Sequence, residues 1–456
     1  MPMNIGYSGA GSPVLYDMDG DPDGRLEIVM AAGRGVIEVF KADESGVYSV
    51  MDGFPVALPA DGPIVDGHSS APAVADLFGD GVPIIVTATT AGKVFAVWPD
   101  GNNHDGGPFV PGFPVSADPR PNTSPLAFAH GNSFPSAPTI GDLDGDGTLD
   151  IVAASYDQQV YAWSPRDEDE SGEADPLPGW PVLARSTADQ VDPDKVCDDL
   201  LPAQILASPA LAILDPDSSD PDFSTYPAVI VGTSEACGST SRLYAIAHDG
   251  YDNADGPFLE GFPVIMPAPL GSVLPIPPLT VGTTSSPAVL TRDDHSLVVS
   301  AAFLYAPTIA VVDDGVTDVE TAFGAIEGAV SAHPSFGRLA ADEEPSLFMP
   351  MGAALSVIDG KFALLDFVID GWNFDAWNDA VFRERLDDMA LFQNPTIADL
   401  DGDGLNEVIA GSMGVPHARV EPRRRRAGRL AEVYAKRAHR LRRGGRRGCR
   451  RAFSKS

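Results

Sequence analysis

One phrase recurs along this chain. It runs from a small residue and a proline through an Ala/Val/Ile/Leu run, an Asp-rich turn, a second apolar run and a third ending in an aromatic, then Gly-aromatic-Pro-Val. The fullest copy reads SAPTIGDLDGDGTLDIVAASYDQQVYAWS and is followed, after an acidic stretch, by GWPV at residues 179–182. Anchor prolines fall at Pro13, Pro72, Pro138, Pro209, Pro287, Pro334 and Pro395, with spacings of 59, 66, 71, 78, 47 and 61 residues, so seven units are present. The closing phrase recurs as GFPV at residues 53–56, 112–115 and 261–264. A chain of 456 residues built this way grows its core unit by unit rather than around one centre.

Three or four short strands per unit at this period match the blade of a β-propeller, whose small sheets pack face on face. The runs EIVMAA, IVAAS and EVIAG are nearly continuous in hydrophobicity. That pattern is expected when both faces of a sheet are covered; alternation would mark a solvated face. Solenoid repeats usually run about 20 to 50 residues and rank second. With 46 Gly and 42 Pro, turns are dense and long helices have no room. The expected fold is all-β, a seven-bladed propeller over residues 1–416 with units starting near residues 11, 70, 136, 207, 285, 333 and 393, the last blade truncated.

Charge is distributed unevenly. Residues 417–456 hold 16 of the 30 Lys and Arg and only 2 of the 65 Asp and Glu, leaving 14 bases against 63 acids in residues 1–416, a net of −49. Such a body repels nucleic acid and anionic membrane and suits metal cations or a salty medium. No apolar run is long enough for a membrane span, so membrane insertion is not expected. The opening MPMNIGYSGAGSP lacks the basic and apolar regions of a secretion signal, which leaves a cytoplasmic protein or a missing true N-terminus. Cys449 lies in the basic tail, while Cys197 and Cys237 form an even pair that suits a disulfide or two buried thiols.

The chemistry lies in the Asp-rich turns. In the third unit Asp142, Asp144, Asp146 and Asp150 follow D-x-D-x-D-G-x-x-D. Alternate positions of a tight loop turn their oxygens inward, so three carboxylates, the Thr148 carbonyl and Asp150 can surround one hard cation at the calcium–oxygen distance of about 2.3 to 2.6 Å. The seventh unit repeats the pattern with Asp399, Asp401, Asp403, the Leu405 carbonyl and Glu407. An EF-hand would need a bidentate Glu at loop position 12; Ala153 and Ala410 stand there, inside strand-like runs. In the first unit Asp19, Asp21, Asp23 and Glu27 keep the nine-residue spacing, with Asp17 left over. Elsewhere the pattern has decayed: Asp76 to Asp80 lacks a middle ligand and a closing acid, DPDSSDPD at residues 215–222 has lost its glycine, and TRDDHS and AADEEP keep remnants that read as acidic turns.

With those motifs in hand, the units resemble FG-GAP repeats, also called VCBS repeats, which build the propeller of integrin α-subunits and of many secreted bacterial proteins. The resemblance spans residues 11 to about 416, and its specific part is the calcium loop with the strand that follows. It implies Ca2+ at Asp142, Asp144, Asp146, Thr148 and Asp150, and at Asp399, Asp401, Asp403, Leu405 and Glu407. It also implies an extracellular or cell-surface setting. Four of the seven loops depart from the metal pattern, so packing must hold those units.

No HExxH, G-x-S-x-G or P-loop motif appears, and an enzyme is not expected. DGHSSAP at residues 66–72 superficially suits a catalytic serine, but in register its SSAP is the anchor phrase. Trp98 and Trp163 end third strands and read as packing residues; Trp372 and Trp377 fall in an insertion. Two functions fit: a calcium-binding, non-catalytic binding or adhesion module for a protein or carbohydrate ligand, or the non-catalytic repeat region of a larger secreted hydrolase or lyase. In the first, the acidic insertions at residues 165–178 and 183–205 are the variable surface.

The basic tail begins where the seventh unit should run its third strand. Val420 to Ala435 can be written with synonymous codons so that a shift of one nucleotide reads W-N-R-D-G-D-E-P-A-G-W-P-K-F-T, the counterpart of YAWSPRDEDE and PGWPV in the third unit. Residues 417–456 are therefore expected to be a disordered frameshift product, with the shift near residues 413–417. Resequencing should locate the shift; an intact frame would remove the reading.

Overall fold

The computed structural model describes residues 12–20, 25–32, 35–43, 46–59, 70–117, 134–184, 205–235, 240–251, 256–266, 285–293, 295–301, 307–321, 334–337, 345–351, 354–358, 382–385, 396–398 and 407–409. The tail, the three cysteines, Trp372 and Trp377 lie outside them.

Each anchor proline immediately precedes the first strand of a sheet: Val14–Tyr16, Ala73–Ala75, Thr139–Gly141, Ala210–Ala212, Ala288–Thr291, Ser335–Gly337 and Thr396–Ala398. Proline has no amide proton to offer a ladder, so it sits naturally where a strand begins. From there each unit runs as an antiparallel meander. The third unit shows the plan, with Thr139–Gly141, Asp150–Ala154, Gln159–Trp163 and Val182–Leu183 paired in chain order. Five of the sheets have four strands, the first has five, and two strands of the seventh are described. The chain is all-β apart from one short α-helix, Pro221–Ser224, and one 3-10 turn, Gly101–Asn103, among the described residues. None of its described helices is long and apolar enough to cross a membrane.

The near-continuous hydrophobicity of the second strands has a direct cause. In Asp150–Ala154, Ile151 and Ala153 enter a core shared with Ile84, Val86 and Ala96 of the second sheet. Val152 and Ala154 enter another, shared with Val229, Val231 and Tyr244 of the fourth. Ala228 and Ile230 then join Val298, Ala310 and Val312 of the fifth. Alternate side chains of one strand thus serve two different interfaces, as the pleat requires. The second strand of the first sheet behaves differently: Ile28 and Met30 are half-buried while Val29 and Ala31 are buried against Ile85, Phe95 and Val97 of the second sheet. First strands of successive units lie side by side from the first sheet through to the sixth.

The Gly-aromatic-Pro-Val phrase supplies the fourth, or an equivalent, strand in the first four units and locks each to the next. The aromatic-proline bond is cis in all four copies of the phrase, Phe54-Pro55, Phe113-Pro114, Trp180-Pro181 and Phe262-Pro263. The glycine ahead of each has a positive φ and lies against the backbone of the following unit. A Cβ on Gly53 would stand 2.0 Å from the Asp100 carbonyl oxygen, one on Gly179 2.1 Å from that of Asp249, and one on Gly261 2.6 Å from the Val316 nitrogen. Backbone bonds cross the same seam, from Asn102 N to Gly53 O at 3.0 Å and from Ala174 N to Gly112 O at 3.0 Å.

Gly172, by contrast, has φ +90 with nothing within 4 Å of its virtual Cβ. Gly172→Ala should therefore cost only the left-handed backbone penalty, about 1 kcal/mol. Gly179→Ala adds a backbone clash and should cost about 3 kcal/mol or more. Thermal melts of the two variants check this, and equal losses would mean that the seam is not close-packed.

Candidate metal centre

The third unit's loop is built on the hairpin end where Gly141 pairs with Asp150. Asp142 Oδ1 accepts from Gly145 N at 2.7 Å and its Oδ2 from Gly147 N at 3.0 Å, while Asp144 Oδ1 accepts from Asp146 N at 3.1 Å and Asp146 Oδ1 from Thr148 N at 2.6 Å. Gly145 and Gly147 hold φ +78 and +84, a region glycine enters without penalty. Coiled in this way, the loop brings oxygens of Asp142, Asp144 and Asp146 within 4.8 Å of one another. Arg166 Nη1 lies 3.6 Å from Asp146 Oδ2.

Asp150 closes the loop from beneath. It is 1% exposed, and its Oδ2 accepts from Leu143 N at 2.8 Å. Burial drives its carboxyl up to about 7; the Leu143 amide opposes that rise, and the charges of Asp144, Asp146 and Asp142 add to it. The Thr148 hydroxyl is buried without a hydrogen-bond partner, beside the carbonyl expected to serve as ligand. The donor set is all oxygen, strongly anionic and held by backbone amides, which fits a hard cation such as calcium and offers nothing for a soft one.

In the first unit the register pairs Tyr16 with Glu27, just as Gly141 pairs with Asp150. Asp17, left over by the spacing, therefore takes the first place in the loop. Its Oδ1 accepts from Gly20 N at 2.8 Å, Met18 N donates to Glu27 Oε2 at 2.9 Å, and Asp17, Asp19 and Glu27 converge within 4.8 Å. The two-residue insertion then falls after Gly20. Asp21 and Asp23 lie outside the described residues. Burial also raises the Glu27 carboxyl, opposed by the Met18 amide.

Asp399, Asp401, Asp403 and Leu405 lie outside the described residues, as does the Glu407 side chain. The strand pairing there sets Ala398 opposite Glu407, the same relation as Gly141 to Asp150. Asp76 keeps the fold of the loop, accepting from Gly81 N at 2.7 Å, but Ile84 stands at the closing position opposite Ala75. Asp215 instead ties two units together by accepting from Asp314 N at 2.8 Å, and Asp220 caps the short helix. In TRDDHS, Thr291 pairs with Ser296 and Arg292 N donates to His295 O at 2.9 Å, which leaves four residues between the strands, fewer than an ion-wrapping loop uses. AADEEP is described only at its final Pro345.

A fourth acidic loop escaped the reading by repeat. Residues 167–175 follow the third strand, on the same end of the sheet as 142–150, and bring Asp167, Asp169 and Asp175 within 4.8 Å. Gly172 N donates to Asp167 Oδ2 at 2.8 Å, Ser171 N to Asp169 Oδ1 at 2.8 Å and Glu168 N to Asp175 Oδ2 at 2.7 Å. These bonds match those of Gly147, Asp146 and Leu143 one for one, and Glu170 takes a positive φ where Gly145 does. The signal was present as D-x-D-x-S-G-x-x-D. Ser171 keeps Asp169 below the usual carboxylate range through its hydroxyl and amide.

Ser70 is structural, its hydroxyl accepting from Ala88 N at 3.1 Å. Trp163 stacks on Tyr161 at 5.4 Å and Trp98 on His104 at 4.3 Å. His248 stacks on Tyr226 at 3.9 Å and lies 3.1 Å from Asp222 at ion-pair distance, without hydrogen-bond geometry at Nδ1. Tyr226 in turn approaches Gly145, so the 142–150 loop rests on the fourth unit.

No family model matches the sequence, and the curated proteins give no match. Among solved structures, the chain is similar to BBS1N in complex with ARL6DN soaked with mercury, at TM-score 0.49 and 8% identity over 91% of this chain and 93% of that one. The lead-soaked form gives TM-score 0.48 and 8% identity over 89% and 90%. Saccharomyces cerevisiae Sqt1 gives TM-score 0.46 and 13% identity over 85% and 78%.

Because the Asp150 carboxyl is raised from its ordinary 3.8 to about 7, the metal-free fold carries a proton that the unfolded chain gives up at lower pH. Its contribution is fully present below the unfolded value and is lost as pH rises through about 7. A cation takes only the ionised form, so calcium should bind more tightly as pH rises from about 6 to about 8. Calorimetric titration across that range checks the slope, which Asp150→Asn should remove. A flat wild-type profile would exclude Asp150 as a ligand.

Proposed function

We propose that the chain is a seven-bladed β-propeller of the FG-GAP or VCBS type, working outside the cytoplasm as a calcium-stiffened, non-catalytic protein-interaction module. The observation that carries this reading is the convergence of Asp142, Asp144 and Asp146 above the buried Asp150 at the end of an otherwise apolar hairpin. Four carboxylates pressed together there repel one another, and a divalent ion turns that repulsion into a clamp on the two innermost strands. The 167–175 loop beside it supplies a second site of the same design.

Loops 76–84, 142–150 and 167–175 lie at the same end of their sheets, giving that end a dense negative surface. Such a surface selects a partner with a basic face and speeds its encounter. A protein with a basic face suits that charge better than a neutral sugar does; among the described residues Trp98 is half-buried and Trp163 and Trp180 are buried, while Tyr251 is exposed.

Thermal unfolding of the full chain with calcium and with chelator tests the reading. Each site at a calcium concentration of about 100 times Kd should add about 2.7 kcal/mol, seen as a clear rise in Tm. Asp144→Asn should lose part of that rise and match wild type in chelator. Equal midpoints with and without calcium would leave the loops as acidic turns.

A further inference from the structure

We propose that the first unit carries its own cation: the ammonium of Lys41 stands where the 142–150 loop takes a divalent ion, so the first hairpin closes without metal. The proposal rests on the reading of 142–150 as a calcium loop and goes beyond it by making the repeat copies unequal.

The two described ends of the first loop, residues 17–20 and 25–27, are held as the matching ends of the third are. Gly20 N and Met18 N bond Asp17 and Glu27 as Gly145 N and Leu143 N bond Asp142 and Asp150, and Asp17, Asp19 and Glu27 converge within 4.8 Å. The third loop also meets a cation, Arg166, 3.6 Å from Asp146 Oδ2 but beyond the end of its strand; the difference lies on the third strand itself. Pairing of Ile28 with Phe40 sets Lys41 next, opposite Glu27. In the third unit Ile151 pairs with Trp163, so the corresponding place opposite Asp150 belongs to Ser164. Lys41 reaches across and donates from Nζ to Asp19 Oδ2, forming a salt bridge with its carboxylate.

Three further features suit a tethered charge. Lys41 is tied into the sheet by its pairing with Ser49, so its ammonium starts from a fixed strand position. Glu27 is buried, and its carboxyl is raised, first by that burial and then by the charges of Asp19 and Asp17, with the Met18 amide and Lys41 opposing the rise. The neighbouring cation, Arg25, donates to the Asp43 carbonyl. An ammonium offers hydrogen bonds to carboxylates at one charge, which balances part of the loop without the six to eight oxygens that calcium requires. A built-in ion also needs no calcium in the medium, so Asp19 keeps its counter-charge when the third loop is empty.

Calcium counting by equilibrium dialysis on the full chain decides the matter, with Asp19→Asn, Lys41→Met, Lys41→Gln and Lys41→Met/Asp19→Asn beside wild type. Asp19→Asn alone should bind as many ions as wild type. Lys41→Met or Lys41→Gln should bind one more, and the double variant should lose it again. Loss of an ion in Asp19→Asn, which leaves Lys41 in place, would overturn the proposal because the loop would then hold metal despite the lysine. Folded Lys41 variants that bind no extra ion would also overturn it. Asp144→Asn reports separately on the third unit: it should lose one ion in either background, and failure there would strike the calcium reading itself rather than the role of Lys41.

Discussion

Burial of both faces of the second to fifth sheets is the constraint on which the rest of this molecule depends. A unit such as residues 139–183 has Ile151 and Ala153 facing one way and Val152 and Ala154 the other, so alone it would leave one apolar face in water. Stability therefore resides in the interfaces, at about 1.5 to 3 kcal/mol for each fully buried Val or Ile side chain. That demand leaves strand interiors with few polar positions, such as Thr87, Glu38 and Arg242, and most of the charge of a very acidic chain is displaced to turns and ends of sheets.

Displacement of charge creates the electrostatic problem that the loops solve. Asp150 sits at the first position of a buried strand, where water cannot solvate it and three neighbouring carboxylates oppose its ionisation. The units answer the problem in different ways. In the third, oxygen donors gather around a place for a cation. In the second, Ile84 replaces the closing acid and removes the buried charge altogether. In the fourth, Asp215 has become a strut to the fifth unit through the amide of Asp314. Unequal loops on equal sheets are what results when packing is common to every unit and the charge at each end is settled locally.

Much of this was legible in the sequence because its cause is local. Anchor prolines mark strand starts, glycines with positive φ mark the turns, and the continuous runs IVAAS and EIVMAA mark second strands. The misses share a different origin. Asp17 was passed over because counting nine residues back from Glu27 ignores an insertion, whereas strand pairing of Tyr16 with Glu27 fixes the first ligand position outright. The 167–175 loop has the right spacing but follows the third strand, outside the place where the repeat carries its Asp-rich turn. Gly-aromatic-Pro-Val was recognised as a strand, but its glycine is needed by the carbonyl of Asp100 or Asp249 some 47 to 70 residues onward, a contact that no periodicity announces. Lys41 likewise acquires meaning only once the second and third strands are paired.

The most direct test of the central claim is a crystal structure of the full chain grown with calcium, read by anomalous scattering. The account predicts an ion at about 2.3 to 2.6 Å from carboxylate oxygens of Asp142, Asp144, Asp146 and Asp150 and from the Thr148 carbonyl, with the backbone of the loop unchanged. A loop free of metal at saturating calcium, with its carboxylates turned apart into solvent, would contradict it.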